Sequence, residues 1–397
     1  MSERLVDKAG KQHRFLALEG LRGVSAVSVV LFHILITFLP FVVYGSSNVQ
    51  HFGFEDNIYK TPLLGFFNGS FAVSIFFVLS GFVLSIAFFQ TNKESIVKKM
   101  AVKRYLRLML PACASILIAW CIVAAGGYAD FNALSAFTSG WGSSGVQYLQ
   151  PDFMTALYQG TTGIFLDEAM KGSPYNSATW TMFWEFLGSF LVFSTLLLVG
   201  KSSKRWVVYT ALFVLLLPTM LLPFVIGMAL ADLYANRIDV FEKNYFTWLF
   251  LLVGIFLAGY PLVEASGSIY QSLVIPGFTY QLNLKTAYTI GAACVLIAVL
   301  SSRMLQRIFS LKVISGLGKY TYSLYLIHMP ILFVVSAETF LFLKRFPQLE
   351  YVPIMLIITF TYLVVVIVGT VLFEKFIDRP SIKLSNKFAD LVLKPPK

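Results

Sequence analysis

The sequence predicts an all-α fold, a polytopic bundle of about ten transmembrane helices with both termini cytoplasmic. Three observations point there. Hydrophobic residues make up 57% of the 397 positions, above the roughly half-apolar usage of soluble domains. Apolar runs at 18–43, 70–89, 108–127, 178–199, 245–263, 286–302, 320–342 and 352–373 each approach the ~20 residues that cross a ~30 Å hydrocarbon core. Basic residues gather in alternate connecting segments, as cytoplasmic loops require. A net charge of +11 therefore has a simpler explanation in membrane orientation than in nucleic-acid binding.

The first run follows a polar stretch, exceeds a signal-peptide core in length and has no small-residue cleavage site after it. It is expected to remain as the first helix. In the second run, Ser80-Gly81-Phe82 marks a close-packing site where another helix or a thin ligand can approach. The third begins in the basic stretch Lys103-Arg104-Tyr-Leu-Arg107. The long outside loop, 128–177, holds Phe131, Trp141, Tyr148, Phe153, Tyr158, Phe165 and Tyr175 with Asp130, Asp152, Asp167 and Glu168. Its aromatic content argues for packing, as a cap over the bundle or as a sugar-stacking surface.

Residues 206–234 are ambiguous, being nearly all apolar but interrupted by Pro218 and Pro223. With two crossings here, only Lys60, Lys171, Lys285, Lys344 and Arg345 of the 31 basic residues fall outside. A single crossing would move Arg303, Arg307, Lys312, Lys319 and the basic C-terminal stretch outside, against the charge rule. A broken hairpin with short arms, bent at the prolines, is expected. Residues 1–380 are expected to form a single transmembrane domain and 381–397 a basic cytoplasmic tail. Cys113, Cys121 and Cys294 lie in apolar segments without ligand-pair spacing and stand as small core residues. No metal site is expected.

Arg22 and His33 lie in the first apolar run. Ionisable groups in a membrane helix are costly and usually face a protein interior. Eleven residues is close to three turns, so the two share a face ~16 Å apart along the axis. His33 alone is either a helix-packing hydrogen bonder or a general base or transient acyl carrier. Arg104 and Arg107 share a helical face through their spacing of three. They are positive-inside anchors or, together with Arg22, a receptor for a polyphosphate. Glu185, among Trp180, Trp184 and Phe186, must be paired or protonated. By helical rise it sits at about the depth of His33, ~20 Å from the cytoplasmic face, where it can orient the imidazole, bind an acceptor hydroxyl or form a structural pair. His328 precedes Pro330, which frees a backbone carbonyl, and satisfying that kink is the favoured role. Walker-type loops, dinucleotide fingerprints, zinc-binding pairs and nucleophile elbows do not occur, which weighs against ATPases, nucleotide-binding oxidoreductases and serine hydrolases.

The segment Leu16-Ala-Leu-Glu-Gly-Leu-Arg-Gly followed by His33 resembles the signature of the acyltransferase 3 family of membrane acyltransferases. So do Phe76-Phe-Val-Leu-Ser-Gly-Phe, the Arg104 and Arg107 pair, Trp180 to Glu185, and Gly318-Lys-Tyr-Thr-Tyr-Ser-Leu-Tyr-Leu-Ile-His. The resemblance runs from about residue 14 to 380, with the motifs in family order. It implies ten spans and transfer of an acyl group, commonly acetyl from acetyl-CoA, onto a carbohydrate hydroxyl at the outer side of the membrane. It also implies functional roles for Arg22, His33, Arg104 and Arg107. Glu19 departs from the aspartate common in the family, and the central hairpin is compact. Some relatives carry an extracytoplasmic hydrolase-like domain; without one, this chain is expected to complete the transfer alone or with a partner.

The resulting expectation places acyl-CoA phosphates on the three arginines and threads the pantetheine arm past Gly81 to His33. The acceptor, a carbohydrate or lipid-linked glycan, enters from outside near Glu185. The bacterial inner membrane is the expected location. The rival expectation is a transporter or flippase for a lipid-linked or anionic solute, with the arginines as its binding site and discontinuous helices near the midplane.

Overall fold

In hydrocarbon every backbone N–H and C=O needs an internal partner, and a long apolar segment meets that demand as a helix. The computed structural model describes residues 2–45, 49–128, 130–139, 149–168, 172–242, 245–264 and 266–393, with side chains from residue 15 on, Glu242 apart. Among the described residues there is no strand. The main helices are α1 (Ser2–Phe38), α2 (Gly69–Thr91), α3 (Glu94–Ala124), α4 (Thr181–Val199), α5 (Arg205–Leu216), α6 (Leu222–Asn236), α7 (Thr247–Ala258), α8 (Tyr280–Ser301), α9 (Thr321–Leu343), α10 (Tyr351–Phe373) and α11 (Arg379–Val392). Among the described residues, seven candidate spans are long and apolar enough to cross a membrane; α5, α6 and α7 are shorter apolar helices. The protein is an all-α integral membrane protein.

One difference from the sequence expectation has a local cause. The run at 245–263 yields only the 12-residue α7, because Gly259 ends the helix and Pro261 keeps its predecessor out of the α region. At the other end, the chain beyond 380 continues as helix. A π turn at Glu374–Asp378 links α10 to α11, where Lys375, Arg379, Lys383 and Lys387 recur at four-residue spacing.

The chain divides into two compact units. The first comprises Met1–Leu31, Asn57–Ala101 and Leu187–Thr321. A close crossing in this unit is between α2 and α6. A Cβ at Gly81 would lie 2.1 Å from the Phe224 carbonyl oxygen, and one at Gly227 would lie 2.0 Å from that of Val78. Two glycines thus let the backbones touch, which is how helices gain contact when lipid supplies no hydrophobic drive. The open face of Gly81 is taken by Phe224, so the expected passage of a donor arm past Gly81 is replaced by helix packing.

The ambiguous stretch 206–234 is broken between α5 and α6, with Pro218 in the connecting turn and Pro223 in the first turn of α6, where its missing N–H costs nothing. The arms have 12 and 15 residues. Arg205 ties them together by a forked bond to Asp232, Nε to Oδ2 at 2.5 Å and Nη2 to Oδ1 at 2.9 Å. Asp232 is buried and also accepts from Asn236 Nδ2 at 2.6 Å. Elsewhere in the unit, Asn68 Nδ2 donates to the Ala258 carbonyl and to the Tyr288 hydroxyl, both at 2.7 Å.

The second unit comprises Phe32–Asp56, Val102–Phe186 and Tyr322–Lys397. Part of the long loop packs as a cap. Phe131 stands edge-on to Phe333 at 4.8 Å, Tyr128 donates to the Tyr175 carbonyl at 3.0 Å, and Phe165 fits against Tyr105 and Phe186. Phe153 and Tyr158 remain exposed, while Trp141 and Tyr148 lie outside the described residues.

Because the α2–α6 crossing is backbone to backbone, Gly227→Leu is expected to cost at least the ~1–3 kcal/mol typical of overpacking. Gly316→Ala, where a Cβ meets nothing within 4 Å, is expected to be neutral. Thermal denaturation in detergent would check both, and equal midpoints for the two variants would contradict the crossing.

Candidate active site

The second unit gathers charge around α3. Arg104 Nη2 donates to Glu185 Oε1, and the two side chains keep only 15% and 14% of their surface exposed. One turn on, Arg107 Nη1 donates to Asp378 Oδ1 at 2.5 Å, and its guanidinium stacks over the Tyr322 ring, 5.1 Å from the centroid. Asp378 is nearly buried and also faces Ser323 Oγ at 3.4 Å. Partners drawn from residues 185 and 378 thus converge on two arginines of one helical face. A carboxylate lost from either pair would strand a charge in a low-dielectric setting, which is strongly destabilising.

Local structure explains how Asp378 gets there. A π turn widens the helix by one residue, and such bulges recur at functional sites. Here it turns both Glu374 and Asp378 inward. Glu374 is then held by the fork of Arg379, at 3.0 and 2.7 Å.

Glu185 is paired, as its aromatic setting requires. Its charged partner is Arg104, a cation that compensates a buried carboxylate more fully than a neutral imidazole can. Around it, Tyr105, Phe165 and Phe186 form an edge-to-face cluster, and Tyr105 donates to the Thr161 carbonyl at 2.6 Å. A cavity of about 420 Å³ is lined by Asp167, Glu168, Ser177, Trp180, Phe183 and Trp184.

His33 lies near the end of α1 and its ring packs against that of His328, with centroids 4.9 Å apart and planes at 59°. His328 is fully buried. Its Nδ1 lies 2.7 Å from the Tyr325 carbonyl oxygen. The expectation that His328 satisfies the Pro330 kink needs correction. Proline at 330 frees the carbonyl of residue 326, and that oxygen accepts from Asn176 Nδ2 at 2.7 Å. Asn176 also donates to Ser115 Oγ at 3.0 Å, so the kink is closed from α3 and the loop.

Arg22 belongs to the first unit. It pairs with Glu19, Nη1 to Oε1 at 3.1 Å, and both side chains are more than a third exposed. Glu19 in turn packs on Gly318, where a Cβ would come within 2.6 Å of its carbonyl oxygen and 2.7 Å of Oε2. That contact joins two of the sequence motifs, Leu16 to Gly23 and Gly318 to His328, in one packing requirement.

Sequence reasoning missed Asp378, Tyr322 and Asn176. Asp378 lies five residues beyond the last apolar run, where nothing in the spacing ties it to another residue. The available signal was an acid placed among basic residues just after a span. Among the described residues no group of three or more His, Cys, Asp or Glu side chains is placed to hold a metal ion.

A family model described as an acyltransferase domain matches residues 15–374. The match takes in Arg22, His33, Arg104, Arg107, Glu185 and His328 and stops short of Asp378. Comparison with curated proteins yields no match, and neither does comparison with solved structures. Extending over nearly the whole chain, the match settles its membership: it belongs to the acyltransferase 3 family of membrane acyltransferases.

Proposed function

We propose that this membrane acyltransferase moves an acyl group, commonly acetyl, from cytoplasmic acyl-CoA to a hydroxyl of a carbohydrate or glycolipid at the outer side of a bacterial plasma membrane, with both termini cytoplasmic and ten helices crossing. The observation that carries the reading is the second unit's combination of His33 with two arginines whose guanidinium groups are held by carboxylates. Fixed, forked donors suit phosphate oxygens. An imidazole at neutral pH suits proton transfer from a hydroxyl.

In this reading Arg107, a quarter exposed and seated on Tyr322, binds donor phosphate, with Arg104 and Arg22 in the same role. His33 takes the proton of the acceptor hydroxyl as the oxygen bonds to the thioester carbon. The carbon–sulfur bond breaks and the thiolate leaves as a thiol with that proton. The alternative in which His33 carries the acyl group divides the same transfer into two steps. Glu185 holds Arg104 and serves the acceptor side, since its neighbour Trp184 lines the aromatic cavity with Trp180 and two carboxylates. Flat rings and acidic acceptors are the chemistry that a polyhydroxyl ligand uses. The transporter reading leaned on discontinuous helices, but the arms of the break between α5 and α6 are tied together by the Arg205–Asp232 fork.

Three outcomes test the reading. Membrane vesicles containing the protein, given radiolabelled acetyl-CoA, are expected to label envelope glycans, and His33→Ala is expected to cut that labelling by at least about 100-fold in a protein that still folds. Full labelling by His33→Ala would reject the assignment. Arg107→Ala and Arg22→Ala are each expected to raise the apparent donor KM by about tenfold with a smaller effect on kcat; an unchanged donor KM would count against the phosphate role. Glu185→Gln is expected to destabilise the fold by on the order of 3 kcal/mol, because it leaves Arg104 inside without its anion. The double variant Arg104→Met/Glu185→Met should recover most of that loss in the same denaturation assay.

A further inference from the structure

The Pro330 kink has its hydrogen-bond partner in Asn176, which leaves the buried His328 ring without a role in closing it. The environment of that ring fixes its tautomer. A carbonyl oxygen only accepts, so Nδ1, 2.7 Å from the Tyr325 carbonyl, carries the ring hydrogen and Nε2 keeps a lone pair. Nε2 is buried and has no hydrogen-bond partner among the described residues. A lone pair buried this way is costly unless something donates to it. Among the described residues, the ring of His33 packs beside it with its centre 4.9 Å away, close enough for small side-chain rotations to bring nitrogen to nitrogen.

We propose that His328 is the positioning residue for His33, its Nε2 accepting an N–H from the His33 ring. The inference rests on His33 being the base or acyl carrier of the proposed reaction. A hydrogen bond from one ring nitrogen fixes the tautomer and leaves the other nitrogen with the lone pair that attacks or deprotonates. During transfer the acceptor hydroxyl's proton moves to that open nitrogen as its oxygen bonds to the thioester carbon. The carbon–sulfur bond breaks and the proton passes on to the leaving thiolate. Throughout, the second His33 N–H stays bonded to His328, which gains and loses no proton. The arrangement has the logic of a catalytic triad with a neutral imidazole in the place of the carboxylate, fixed in turn by a main-chain carbonyl one helical turn away.

Other elements support the rigidity this needs. Tyr362 donates to the His328 carbonyl at 3.4 Å, and the Tyr325 ring that precedes it accepts from Thr181 at its hydroxyl, 3.0 Å away. Helix α10 thereby holds the His328 carbonyl, and the start of α4 holds the neighbouring Tyr325 ring.

The test compares His328→Leu, which removes the acceptor, with His328→Gln, whose amide oxygen can accept in its place. With radiolabelled acetyl-CoA and envelope glycans in membrane vesicles, His328→Leu is expected to lower kcat about 10- to 100-fold with donor KM within about twofold, and His328→Gln to recover part of the loss. In reconstituted full-length protein with ¹⁵N-labelled histidine, His33 is expected to show a single tautomer that becomes mixed in His328→Leu and stays single in His328→Gln. Wild-type kcat in His328→Leu, or an unchanged His33 tautomer in that variant, would overturn the inference, including the case where activity falls only together with thermal stability. An inactive His33→Ala alongside a normal His328→Leu defeats this inference alone, whereas a fully active His33→Ala defeats the catalytic reading as well.

Discussion

The pairing of Arg104 and Arg107 with Glu185 and Asp378 is the constraint around which the second unit is organised. An arginine cannot shed its proton in a membrane protein, so its charge must be met inside or carried to the interface. This unit meets it inside. Two carboxylates separated by nearly half of the chain are brought to one face of α3, and the π turn between α10 and α11 is what turns Asp378 inward. A site assembled from such pairs is positioned before any ligand arrives. Removing one partner would therefore disturb folding and function together, and the double replacements above are needed to separate the two.

The first unit is held by a different principle. Its helices gain little from burying apolar surface, because lipid is as apolar as leucine, and they adhere through close contact at small residues. Gly81 and Gly227 bring α2 and α6 into backbone contact, and Gly254 and Gly291 do the same less tightly for α7 and α8. The short, broken pair α5 and α6 is stable in this setting because Arg205 and Asp232 lock its arms. Of the two approaches that Ser80-Gly81-Phe82 left open in the sequence, another helix or a thin ligand, the structure takes the helix.

Much of this was legible in the sequence. Run length and loop charge were enough for an all-α membrane protein with a proline-broken hairpin, since both signals depend on local composition. The family resemblance was legible through motifs whose physical basis is now visible, such as Glu19 resting on Gly318. The need for Glu185 to be paired followed from its aromatic neighbours, but its partner did not, because pairing depends on which helices meet. The same reason hid Asp378 and Asn176. Asp378 acquires its role from a one-residue change in helical phase, and Asn176 from a carbonyl freed 150 residues later in the chain. His328 was visible but misassigned, since spacing alone suggested that it filled the gap left by Pro330.

In the proposed reaction the second unit would supply His33 as a base, His328 to orient it and a pair of restrained cations, which is the minimum that acyl transfer from an anionic thioester donor asks for. The most direct measurement is a cryo-electron microscopy structure of the full chain in lipid nanodiscs with a non-transferable thioether analogue of acetyl-CoA. Diphosphate density against the Arg107 guanidinium is expected, with the analogue's carbonyl carbon within reach of the His33 ring. Density for the analogue that leaves His33 without contact to its acyl end would contradict that expectation.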